Sequence, residues 1–115
     1  MNLIDYFKHR NLIDSLMNLY AHIEIFSHCK SVLRKVDIIN QRFKEISEIE
    51  KYSDYSRFLE DAREQTKTPE AIRKAILLLV GSICAALYQD KIDDKLSSTI
   101  FAFIIALKEK YHEPK

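Results

Sequence analysis

The sequence predicts an all-α fold, a bundle of four to five helices, and three observations carry that expectation. Its 115 residues include one Gly and two Pro, too little punctuation for the many tight turns of a small all-β protein. Apolar residues recur at steps of three and four over most of the chain, which is the helical period. Hydrophobic residues make up 47% and charged residues 30%, a composition that folds around a core and does not stay disordered. At this length one domain, residues 1–115, is expected to bury a core without staples.

Residues Asn2 to Lys8 form a short amphipathic segment carrying Leu3, Ile4, Tyr6 and Phe7. Asn-Leu-Ile-Asp occurs at 2–5 and again at 11–14. The echo is too short for a structural repeat and reads as two helix starts, with Asn as the cap. From Asn11 the apolar positions are Leu12, Leu16, Leu19, Ile23, Phe26, Cys29, Leu33, Val36, Ile39, Phe43 and Ile46, the strongest helical signal in the chain. A single helix from Asn11 to Ile49 would be roughly 58 Å long, well beyond the diameter of a small domain. It must bend or the molecule must be elongated, and the polar group Ser27, His28, Lys30 and Ser31 is the expected place for a break.

Glu48 to Tyr55 loses the period and reads as a link. A shorter helix follows over Ser56 to Gln65, with Phe58, Leu59 and Ala62 on one side. Thr68-Pro69-Glu70 marks the next start: Thr caps, Pro fits the first helical position, and Glu faces the positive end of the helix dipole. The helix it opens contains the longest uncharged run, Ala75 to Tyr88. Ile72, Ile76, Leu79, Ile83 and Leu87 face one way and Leu77, Val80, Cys84 and Tyr88 cover much of the rest, so burial on most sides is expected. Gln89 to Lys95 is a tight connection in which Asp93 or Asp94 caps the last helix, Leu96 to Tyr111, whose main stripe is Leu96, Ile100, Phe103, Ile104 and Leu107. The two apolar helices are expected to form a C-terminal antiparallel hairpin.

Eighteen basic against seventeen acidic residues leave a net charge of +1, so no global field draws nucleic acid. The best basic group, Lys30, Arg34 and Lys35, sits inside a helix with no helix-turn-helix spacing. Cys29 and Cys84 show no metal or redox spacing and read as small buried side chains of a reduced protein. The first ten residues lack the apolar run of a secretory signal, which makes cytoplasmic residence the expectation.

His22 and His28 lie about 120° apart on a helix and cannot share an ion. Glu24 and His28 could touch, as a surface ion pair would. We therefore expect no metal, no cofactor and no enzyme activity. Spanning a bilayer takes about 20 predominantly apolar residues, and the uncharged runs here are fourteen residues and, from Ser97 to Leu107, eleven. No membrane contact is expected.

Two surfaces remain as candidates for partners. Glu45 to Glu64 holds seven acids, Glu45, Glu48, Glu50, Asp54, Glu60, Asp61 and Glu64, against Lys51, Arg57 and Arg63, a local charge of −4 with Tyr52 and Tyr55 in its midst. Tyrosine rings supply contact area and carboxylates steer a basic protein partner. The two apolar helices hold more apolar surface than a small bundle easily encloses, and homodimerisation through Leu77, Gly81, Ala85, Phe101 and Ile105 is the expected outlet.

In size, helix content and the stretch EIEKYSDYSRFLEDARE, the chain resembles the small helical immunity proteins with which bacteria neutralise toxins. The resemblance implies stoichiometric binding, with the acidic patch in or beside a toxin's basic cleft. The near-neutral total charge departs from the acidic character of many nuclease inhibitors. Two other functions compete with this one: a helical regulator or secretion chaperone binding through the apolar helices, and a nucleic-acid-binding protein using Lys30, Arg34 and Lys35.

Overall fold

The computed structural model describes residues 3–24, 28–47, 55–89 and 92–112. They form five helices and, among the described residues, no strand: α1 (Leu3–His22), α2 (Cys29–Ile46), α3 (Ser56–Gln65), α4 (Pro69–Tyr88) and α5 (Asp94–Tyr111). The domain measures 42 × 27 × 24 Å. The long apolar period is broken where its polar group lies, with helix ending at His22 and resuming at Cys29, and the break keeps the long axis far below the length of one continuous helix.

The two expected N-terminal helix starts are one helix. Asn11 lies inside α1, half-buried, and caps nothing there, because the backbone N–H groups around it are already used by the helix. Past the break the core keeps Val36, Ile39 and Phe43 of the expected stripe and takes Val32 in place of Cys29 and Leu33. Leu12, Leu16 and Leu19 on α1 and Ile23 just past its end are fully buried, and α2 then buries Val32, Val36, Ile39 and Phe43, with Cys29, Leu33 and Ile46 only partly covered. α1 and α2 together line a shallow groove, with Asn11, Asp14 and Asn18 from α1 and Lys35, Ile38 and Arg42 from α2.

The start of α4 follows its local chemistry. The Ala71 N–H donates to Thr68 Oγ1 at 3.1 Å, and Pro69 occupies the first turn. At α5 the choice between two aspartates falls on Asp93, whose Oδ1 accepts from the Leu96 N–H at 2.8 Å. Each cap satisfies a donor that the helix itself leaves unpaired. Thr68→Ala and Asp93→Ala should each lower the unfolding free energy by about 1 kcal/mol in urea titrations. A loss below about 0.2 kcal/mol at both sites would mean that solvent serves these donors equally well.

The expected α4–α5 hairpin is not the principal packing of either helix. α4 lies chiefly on α1, and α5 lies on α3 and α2, while α4 and α5 touch only lightly. The reason is visible in burial. α5 is covered on several sides, with Ser97, Ser98, Ile100, Ala102, Phe103, Ile104, Ala106, Leu107 and Tyr111 all buried, so it is the most deeply buried of the five helices. The helix with the longest uncharged run is not; α4 buries one stripe, Ile72, Ala75, Ile76, Leu79, Ile83 and Ala86, and leaves the opposite one in solvent.

α3 is a short brace laid on α5 in the same direction. Ala62 meets Ala102 and Ala106 in a small cluster flanked by Phe58 and Leu59, and small side chains on both helices permit a close approach. Tyr55 packs edge-on against Phe101, ring centroids 5.0 Å apart. At the other end Arg63 forms a two-pronged bridge to Glu109, at 2.9 and 3.0 Å, and Lys110 Nζ donates to the Lys67 carbonyl at 2.8 Å.

Candidate functional site

The acidic surface is carried by α3 and the end of α2. α3 is amphipathic: Phe58, Leu59 and Ala62 turn inward, which leaves Glu60, Asp61 and Glu64 exposed. Glu64 is paired with Lys67 at 2.7 Å, whereas Glu60 and Asp61 form no ion pair among the described residues. Glu45 is exposed near the C-terminal end of α2. Glu48, Glu50, Tyr52 and Asp54 lie outside the described residues.

The bases of this stretch are partly spent within the chain. The Arg63 guanidinium is held by Glu109, and that hydrogen bond, aided by the attraction of the two charges, keeps the Glu109 carboxyl below its ordinary value of 4.5. The Arg63 guanidinium is pushed up by the same hydrogen bond and by the Glu109 charge, with a smaller push from Glu60. With Arg63 paired to Glu109 and Glu64 to Lys67, α3 retains Glu60 and Asp61 against the exposed Arg57, a net charge of −1. Tyr55 differs from the expectation of a free recognition ring: it is half-buried against Phe101 and positions the start of α3.

The proposed self-association residues fall into two groups. Leu77, Gly81 and Ala85 are exposed together on α4, Leu77 at 49%. Phe101 and Ile105 are half-buried on α5, and Phe101 already meets the Tyr55 ring, so they do not share a free surface with the α4 group. Leu78, 67% exposed, and Tyr88, 94% exposed, belong to the α4 face as well. Leu78 was missed by sequence reasoning because consecutive leucines in an apolar run carry no mark of which one points outward. Cys84, expected to be buried, is exposed on the same face, while Cys29 is half-buried; both are free thiols. A second exposed apolar group, Leu3, Ile4, Tyr6 and Phe7, caps the N-terminal end of α1.

As a complete helix α4 is 20 residues, long and apolar enough to cross a membrane by length and composition, although its uncharged run alone is shorter; one third of its most apolar window is buried in the bundle. No group of three or more His, Cys, Asp or Glu able to hold a metal ion occurs among the described residues. His22 donates to the Asn18 carbonyl at 2.9 Å within its own helix. His9, which the spacing argument passes over, is buried, donates from Nδ1 to the Asp5 carbonyl at 2.7 Å, and leaves Nε2 without a partner among the described residues. On α2, Lys30 and Arg34 are exposed, while Lys35 is half-buried in the groove against α1.

The fold and its surfaces thus define a small five-helix all-α domain with acidic side chains outward on α3 and apolar ones outward on α4 and at the start of α1. Comparison of the chain with family models, with curated proteins and with solved structures gives no match.

Proposed function

We propose that this chain is a protein-binding module, an immunity protein that neutralises a cognate toxin by stoichiometric binding, with the acidic face of α3 as the core of the contact. The observation that carries the reading is the way α3 is held. Its inner side is fixed to α5 by the alanine cluster, the Tyr55–Phe101 contact and the Arg63–Glu109 bridge, so Glu60, Asp61 and Glu64 project from a braced helix. Carboxylates held in one arrangement lose less conformational entropy on binding than the same groups on a loose segment, and they steer a basic partner toward the site.

The test is co-expression with the product of the neighbouring reading frame, followed by co-purification and a growth-rescue assay. Glu60→Lys with Asp61→Lys should weaken capture on the order of 100-fold and abolish rescue, with the helical circular dichroism unchanged. Capture and rescue that survive the double reversal would defeat the acidic-face model.

The exposed face of α4 favours a second reading, a helical regulator or secretion chaperone that binds an apolar segment there. Under that reading Leu78→Lys eliminates capture and the α3 reversals leave it intact.

A further inference from the structure

We infer that the exposed face of α4 is covered by a second copy of this chain, the two α4 helices crossing antiparallel with a two-fold axis at Gly81. The face runs from Lys74 through Leu77, Leu78, Gly81, Cys84 and Ala85 to Tyr88, all exposed. These steps of three and four place the residues on one side of a helix. Between Lys74 and Tyr88 the face carries no charge. A glycine inside a helix costs about 1 kcal/mol relative to alanine, yet no other part of the chain lies within 4 Å of where a Cβ at Gly81 would stand. Its small size therefore serves no close contact inside its own domain.

A two-fold contact must be self-complementary, and this face is so about Gly81. With the axis there, Leu77 falls against the partner subunit's Ala85 and Leu78 against the partner subunit's Cys84, large side chains meeting small ones on both sides. The two glycines mark the closest approach. At the ends of the contact the Lys74 ammonium meets the ring of the partner subunit's Tyr88, an attractive cation–π arrangement. An axis at Leu77 or Leu78 would bring leucine against leucine and leave Tyr88 uncovered, and one between Ser82 and Ile83 would set Tyr88 on Leu77 but move the two glycines apart.

The area is sufficient. Tyr88, 94% exposed, offers about 200 Å². Leu77 and Leu78, 49% and 67% exposed, bring the two copies to roughly 800 Å² in total, and Lys74, Cys84 and Ala85 carry the contact to about the 1,000 Å² lower bound for specific association. The pairing uses the Leu77, Gly81 and Ala85 group and takes in neither Phe101, which packs against the domain's own core, nor Ile105, which is half-buried on α5. It is independent of the toxin-binding reading, since α3 stands on α5.

Sedimentation equilibrium of the full chain should give twice its 13.6 kDa mass. Gly81→Leu should weaken association at least tenfold, while its melting temperature in the dilute monomer is unchanged or higher, because leucine has room within the chain and is the better helix former. An intact dimer in this variant overturns the proposal. Register is tested in a Cys29→Ser, Cys84→Ser background. Gly81→Cys should oxidise readily to a covalent dimer, whereas two copies of Leu77→Cys, displaced about 12 Å along the axes, are too far apart for a disulfide. Equal or reversed cross-linking overturns the crossing point. A parent chain that stays monomeric at about 100 μM overturns the proposal as a whole. If that monomer sediments with phosphatidylglycerol vesicles the face is a membrane contact, and if it does not, a different protein covers it.

Discussion

Replacing Phe43 by alanine should lower the unfolding free energy by about 3–5 kcal/mol, the range for deleting a buried aromatic side chain. Phe43 is fully buried on α2, among the largest side chains of the main core. α2 contacts both α1 and α5, so a cavity at Phe43 weakens two helix contacts at once. Against a total stability of about 5–15 kcal/mol for a domain of this kind, the variant should be marginal at 37 °C. Urea titration followed by circular dichroism reads the change as a lower midpoint at constant slope. A loss under 1 kcal/mol would mean that α2 does not join α1 to α5 in the way described.

The second large effect is a contrast on one helix. Ile83→Asp should abolish the folded state, because position 83 is fully buried among apolar residues and an unpaired carboxylate there costs several kcal/mol. Leu78→Asp, five positions away in the same uncharged run, should change the stability of the monomer by less than about 0.5 kcal/mol, as exposed substitutions do. Proton–nitrogen correlation spectra give a direct reading: collapsed amide dispersion for Ile83→Asp and a native spectrum for Leu78→Asp. Two collapsed spectra would show that α4 is buried on both sides. Two native ones would show that its Ile72–Ile83 stripe is not core.

The limits of the sequence reading follow the same helix. Its start was legible because Thr68, Pro69 and Glu70 act on the first turn alone, and its buried stripe was legible because the period of 3.6 places Ile72, Ile76, Leu79 and Ile83 on one line. The status of the other stripe was not, since Leu77, Cys84 and Tyr88 are apolar whichever side the neighbours choose. In α3 the acids could be read as a charged side, and the helix runs from Ser56 to Gln65 as its composition predicts. The role of Tyr55 could not, because its contact with Phe101 spans 46 positions of sequence. In α1 the second Asn-Leu-Ile-Asp carried the chemistry of a cap and was overridden by helix propagation from the residues before it.

By itself, then, the sequence determined what depends on neighbours within a few residues: the all-helical class, the Thr68 cap, an aspartate cap for α5 and the polar group at which the long apolar period gives way. Only the tertiary structure decided that α5 is the most buried helix, that α4 lies on α1, and that one face of α4 stays open. Caps and periods act over one or two turns, with energies set by the local backbone. Which apolar faces meet depends on the summed packing of all five helices, and that sum has no value at any single position of the chain.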